Sequence, residues 1–188
     1  SYGKANNGTA NCATPIVFDN HVFASSSYGT GGGLAKISGE GEKQAAEEVY
    51  FEAKMANHHG GIVKVGDYMY GFGNGGLICM NFLTGDIAWT NRSVGKGSLG
   101  VADNLIFMLG ENHEVALAEV NPEKYVEHGR FKITSHGRPS WAHPVVVGGL
   151  CDRGPDSPAV LDLVMARVRA GRAQCVLGNH ELNAMLGE

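Results

Sequence analysis

Two short stretches near the end of the chain gather acidic, basic, amide and imidazole side chains of the types that can grip an anion or move a proton: Cys151-Asp152-Arg153-Gly154 and Gly178-Asn179-His180-Glu181. Three other groupings have residue types capable of chemistry. His58 and His59 are neighbours, and Asp19 and His21 are one residue apart. There are also four cysteines: Cys12, Cys79, Cys151 and Cys175. Adjacent side chains on a strand point to opposite faces. His58 and His59 are therefore expected to form a hydrogen-bonding turn at a strand start, not to chelate one ion. No two cysteines make a CxxC pair, so a structural zinc site is not expected. The spacing suggests four free, mostly buried thiols and leaves a disulfide open.

The two polar stretches need elements to hold them. Ser157 is a good N-cap, with Pro158 at the first helical position. Val160, Leu161, Val164, Met165 and Val168 then form an apolar stripe at helical spacing. Arg167 and Arg169 suit the negative end of the helix dipole, and Gly171 ends the helix. Ala173–Leu177 reads as a short buried strand, Glu181–Leu186 as the start of another helix, and Val145–Val147 as the preceding strand. The expected unit is strand–helix–strand, with both polar stretches in loops at the carboxyl ends of its strands, where sites form.

On the pair Asp152-Arg153-Gly154 and Gly178-Asn179-His180-Glu181, residues 150–188 resemble calcineurin-like metallophosphoesterases, in the phosphoprotein and diadenosine-tetraphosphate phosphatase branch. The family signature runs D-x-H, G-D-x-x-D-R-G, G-N-H-E/D, then two later histidines. The resemblance implies that Asn179 is a metal ligand and that His180 acts as general acid or steadies the leaving oxygen. It further implies that Asp152 orients His180 and Arg153 clamps a phosphate oxygen. Two divalent cations (manganese, iron or zinc) would be the implied cofactors. The match has a gap, because Gly149 stands where the family has the Asp that bridges both metals. Asp19-x-His21 lies about 130 residues before Asp152, inside a different pattern, and is not expected to supply the first motif. As a hydrolase the chain is therefore expected to be inactive; if active, it would be a metal-dependent phosphoesterase.

That different pattern fills the first three-quarters of the chain. Thr14–Ser25, Gly60–Gly73 and Gly97–Gly110 each give an apolar strand, a polar turn and a second apolar strand. The turns are Asp19-Asn20, Gly66-Asp67 and Asp103-Asn104, residue types that tolerate the positive φ of tight hairpins. Ala142–Leu150 begins the pattern a fourth time, with Gly148-Gly149 as the turn. The turns recur every 37 to 47 residues, the period of a four-stranded propeller blade. Further strands follow each hairpin in Gly32–Ile37, Gly75–Asn91 and His113–Ile133. Turns at Thr84-Gly85 and Asn121-Pro122 reverse the chain, and an aromatic such as Trp89 beyond the turn is placed to plug the gap between blades. The charged stretch Gly39–Met55 has some helical character, and is expected to begin as a loop and become a strand near Val49–Phe51.

Gly75–Trp89 and Asn57–Gly71 resemble the pyrroloquinoline-quinone-like β-propeller repeat, and the resemblance covers about residues 10–150. It implies a ring of about eight blades in complete members, of which some are quinone-dependent dehydrogenases and others non-catalytic scaffolds. No quinone, calcium or catalytic Asp position of the dehydrogenases can be matched here, so pyrroloquinoline quinone is not expected.

Composition agrees with many short strands. Of 188 residues 28 are glycine, 43% are hydrophobic and only 18% are charged. A net charge of −4 offers no electrostatic case for nucleic acid, and no apolar run reaches membrane-span length. The first residue is Ser1, which suggests a processed chain or a piece of a longer one. The expected fold is mainly β: a partial β-propeller of about three blades over residues 1–148, then an α/β metallophosphoesterase-like fragment over residues 149–188. The expected function is a non-catalytic scaffold or binding surface, with a metal-dependent phosphoesterase as the alternative. The junction at 148–151 suits a hybrid of two partial domains. Open blade edges suggest self-association and leave a protein partner open. The propeller part suggests a periplasmic or exported protein and the phosphatase part a cytoplasmic one.

Overall fold

A computed structural model describes residues 3–133, 137 and 139–141. Three four-stranded antiparallel sheets make up almost all of this region. Sheet 1 contains β1 (Ile16–Phe18), β2 (His21–Ser26), β3 (Gly31–Ser38) and β4 (Ala45–Glu52). Sheet 2 contains β5 (Ile62–Val65), β6 (Tyr68–Gly73), β7 (Gly76–Asn81) and β8 (Ile87–Asn91). Sheet 3 contains β9 (Gly97–Ala102), β10 (Leu105–Gly110), β11 (Glu114–Glu119) and β12 (Glu127–Lys132). Each is a meander whose spatial order equals its chain order. Three such units in succession are propeller blades, so the fold is mainly β, a partial β-propeller.

The hairpin turns fall where the turn chemistry puts them. Asp19, Gly66, Asp103 and Asn104 all have positive φ, as tight hairpins demand. The charged stretch behaves differently from expectation. Its only helical piece is a 3-10 turn at Gly41–Lys43, and β4 starts at Ala45, four residues before Val49. Ala45–Glu48 pair with Ser38, Ile37, Lys36 and Ala35 while remaining exposed. Backbone pairing to an existing edge, not side-chain burial, fixes this start, and hydrophobic pattern does not report it.

Two apolar clusters hold the sheets together. Phe23 and Leu34 of sheet 1 pack with Met69, Ile78, Met80 and Phe82 on sheet 2, with Met55 from the connection between them. Tyr70, Phe72, Leu77 and Cys79 of sheet 2 pack with Leu99, Ile106, Met108, Ala116 and Ala118 of sheet 3. Strand β7 thus sends Leu77 and Cys79 one way and Ile78 and Met80 the other, and all four are fully buried. A strand covered on both faces reads as a continuous apolar run, and Leu77–Met80 does.

Aromatic bridges stitch neighbouring sheets. Tyr50 on β4 donates its hydroxyl to Phe82 O at 2.8 Å, and Trp89 on β8 donates Nε1 to Asn121 O at 2.9 Å. Trp89 sits between Tyr70 and Tyr125, with ring centroids 6.0 and 5.8 Å away. This is the plugging role expected of it. Of the cysteines within the described residues, Cys12 is exposed and Cys79 buried, and both are free. Burial pushes the Cys79 thiol up to about 11, so it stays protonated and inert. Cys151, Cys175 and the expected strand–helix–strand unit lie outside the described residues.

Candidate functional site

In a four-stranded meander the turn between strands two and three and the connection to the next sheet leave from the same end. Here that end carries the β2–β3, β6–β7 and β10–β11 turns and the β4–β5 and β8–β9 connections. Tyr28 comes from the first of these turns and Glu111 from the third; His58 and His59 come from the first connection and Lys96 from the second.

The β4–β5 connection is braced from inside. Buried Asn57 donates Nδ2 to Gly61 O at 3.0 Å and Phe72 O at 2.9 Å, while its backbone N–H donates to Ser25 Oγ at 2.9 Å. Gly60 lies directly against the next connection. A Cβ there would stand 2.0 Å from Gly97 O, so only glycine permits the approach. These residues explain Asn57-His58-His59-Gly60-Gly61 physically: an anchor, two presented imidazoles and a close backbone crossing.

His58 and His59 do not lie on a strand; they precede β5 in irregular backbone. The alternation rule therefore does not separate them. Their rings meet edge to face with centroids 5.1 Å apart. His58 Nε2 is 2.8 Å from the Tyr28 hydroxyl, and His59 Nε2 is 2.9 Å from Glu111 Oε1. Lys96 Nζ reaches the same carboxylate oxygen at 2.9 Å. The expectation of a hydrogen-bonding turn is met, and the expectation that the two imidazoles diverge is overturned. One donor atom from each of His58, His59 and Glu111 lies within 4.8 Å of the others.

Charge is finely balanced here. Burial lowers the His58 pKa, and the Lys96 ammonium and His59 lower it further against the opposing pull of Glu111. Burial alone would raise the Glu111 pKa, but hydrogen bonds from Lys96 and His59 outweigh it and hold the carboxyl below its usual range. Beside His58 opens a cavity of about 510 Å³, lined by Asn74, Arg92, Lys96 and several glycine backbones.

Asp19 and His21 sit at the β1–β2 turn, within a hairpin as expected and at the opposite end of the sheet from His58. Asp152, Arg153, Asn179, His180 and Gly149 lie outside the described residues. Sequence reasoning missed Tyr28, Lys96 and Glu111; the available signal was topological, since all three fall in turns or connections that emerge at one end. Among the described residues, His58, His59 and Glu111 are the one grouping of three or more His/Cys/Asp/Glu residues whose ligand atoms come this close.

No protein-family model matches the chain, and no curated protein matches it. The phosphatase resemblance thus gains no support from either comparison. Among solved structures, a europium-containing methanol dehydrogenase is similar over 59% of this chain at 12% identity, with a TM-score of 0.41. The chain spans 23% of the length of that protein, and the fold assignment rests on the three meander sheets themselves.

Proposed function

We propose that this chain is a binding module of the β-propeller type, a scaffold whose loop end takes a small oxyanion. The observation that carries the reading is the cavity of about 510 Å³ lined by Arg92, Lys96, His58 and Asn74 together with glycine backbone. Its volume falls in the range of small-molecule sites. Cationic side chains such as Arg92 and Lys96 are the chemistry that recognises carboxylates and phosphates. Two packed cores behind the loops supply the rigid support such a site needs.

The test is titration of the 188-residue chain with inorganic phosphate and with citrate, followed by calorimetry and amide spectra. Saturable shifts should cluster at Ser27, Asn74–Gly76 and Arg92–Gly97. Arg92→Ala should weaken binding by roughly tenfold or more, the worth of one charge-assisted hydrogen bond. Shifts scattered over the surface, or binding indifferent to Arg92→Ala, would remove the reading. Manganese-dependent hydrolysis of p-nitrophenyl phosphate, lost in His180→Ala, would replace it with the phosphoesterase alternative.

A further inference from the structure

We propose that His58, His59 and Glu111 form a site for one divalent first-row cation of the zinc type, with its remaining position facing the cavity. The inference deepens the binding-module reading and rests on it only for the fourth ligand.

Three observations carry it. First, two imidazoles and a carboxylate converge, with one donor atom of each within 4.8 Å of the others. Zinc–nitrogen and zinc–oxygen bonds of about 2.0–2.2 Å require donors closer than that, so a bound ion would draw the three side chains together. The hydrogen bond between His59 Nε2 and Glu111 Oε1 at 2.9 Å already holds the carboxylate beside that ring. Second, each imidazole has one partnered and one orphaned nitrogen. Nδ1 of His58 and Nδ1 of His59 are both buried without a hydrogen-bond partner. Buried polar atoms are nearly always paired, and an imidazole protonated at its partnered Nε2 offers the unpartnered Nδ1 as a lone pair of the kind a borderline cation binds. Third, the outer partners are in place. The Tyr28 hydroxyl holds His58 Nε2, the kind of contact that fixes the ring orientation of a metal-binding histidine.

Lys96 defines the ground state. Its ammonium sits 2.9 Å from Glu111 Oε1, where it neutralises the carboxylate a metal would use. Cation binding displaces Lys96 from Glu111, and Lys96, which also lines the cavity, is then freed for an anion beside the metal. The donor set selects the ion: imidazole nitrogens suit zinc, cobalt, nickel or copper, whereas calcium and magnesium prefer oxygen.

The experiment uses the full chain in a buffer free of phosphate and carboxylates. Zn²⁺ affinity is read by competition calorimetry, Co²⁺ binding by its visible absorption, and the ligands by histidine ring resonances. His59→Ala and Glu111→Gln should each remove one equivalent of bound Zn²⁺ and weaken that site more than about a hundredfold, beyond the loss typical of an outer partner. Tyr28→Phe should weaken it by about tenfold. Lys96→Met should tighten it severalfold, a gain that a purely structural ion pair would not produce. Amide spectra establish that each variant folds, and His128→Ala serves as a control for surface histidines. Unchanged stoichiometry in both His59→Ala and Glu111→Gln, or unshifted His58 and His59 rings at saturating Zn²⁺, would overturn the inference. Zinc binding with no oxyanion binding would remove only the anion reading, and oxyanion binding with no zinc binding would remove only this one.

Discussion

Arg130 on β12 gathers the charges of sheet 3. Its Nε and one terminal nitrogen grip the two oxygens of Glu127 at 2.8 Å each, the other terminal nitrogen reaches Glu114 at 3.2 Å, and Ser93 O lies 3.3 Å away. The Arg130 hydrogen bonds hold the Glu127 carboxyl below its usual range against the opposing effect of burial, with Tyr125 adding a donor. Burial and the bond to Glu127 in turn push the Tyr125 phenol up to about 12. A carboxyl whose folded pKa is depressed stabilises the fold above its unfolded pKa and loses that contribution as pH falls through the folded value. Urea midpoints of the wild-type chain should therefore drop as pH falls below about 4, the ordinary glutamate range. Glu127→Gln should be less stable at neutral pH and flatter in that acid window. Equal slopes for the two proteins would show that Arg130 does not depress Glu127. None of this network was legible in the sequence, because Glu127 and Arg130 are brought to Glu114 and Ser93 only by the pairing of β12. The histidine pair was visible as letters and misread in geometry. The alternation that separates neighbours on a strand has no force in the irregular backbone before β5.

At the level of elements, one device repeats. Each sheet has a register shift between its third and fourth strands: at Leu34/Ala35, at Cys79/Met80 and at Leu117/Ala118. Just beyond it, opposite Leu34, Cys79 and Leu117, stand Tyr50, Trp89 and Gly129. The extra residue of a bulge re-aims its neighbour, and the first two sheets use this to throw an aromatic onto the next sheet. The Thr84-Gly85 turn is the receiving surface. A Cβ on Gly85 would lie 2.6 Å from the Tyr50 ring, and Gly85 has φ +78. Gly66 also has positive φ (+57) but meets nothing within 4 Å. Gly66→Ala should thus cost about 1–2 kcal/mol, the left-handed penalty alone. Gly85→Ala should cost roughly 2–4 kcal/mol, since overpacking adds to that penalty. Equal urea midpoints for the two variants would disprove the contact. The hairpins and the repeat period were legible because turn residues and strand alternation are local properties. The bulges, the true start of β4 and the seat of Tyr50 were not, because each depends on which strand lies alongside. Gly129 breaks the repeat, and sequence spacing alone did not align it with Trp89.

Across the described region the three sheets are unequally supported. Sheet 2 is sandwiched, with Ile78 and Met80 packed toward sheet 1 and Leu77 and Cys79 toward sheet 3. Sheet 3 packs on sheet 2 through Ile106, Met108, Ala116 and Ala118, while Phe107, Phe131 and Ile133 remain exposed. Its last strand β12 is almost wholly exposed and has Gly129 where the other sheets carry a bridging aromatic. Local opening costs least where apolar contacts are few and hydrogen bonds are solvated. Native-state hydrogen exchange should therefore rank the strands: β6 and β7 slowest, near the global unfolding rate, and β12 fastest among the paired strands. Trp89→Phe removes the bond to Asn121 while keeping a ring in the gap. It should speed exchange in sheet 3 more than in sheet 1, because the bridge it cuts joins sheets 2 and 3. Tyr50→Phe, which cuts the bridge from β4 to Phe82, should show the reverse bias. If both variants raised exchange evenly over all three sheets, the sheets would behave as one cooperative block and the aromatic bridges would not be the local ties described. A bias toward the sheet that each bridge serves would show that this β structure is held together pairwise, blade to blade, by one aromatic at each of the bulges of sheets 1 and 2.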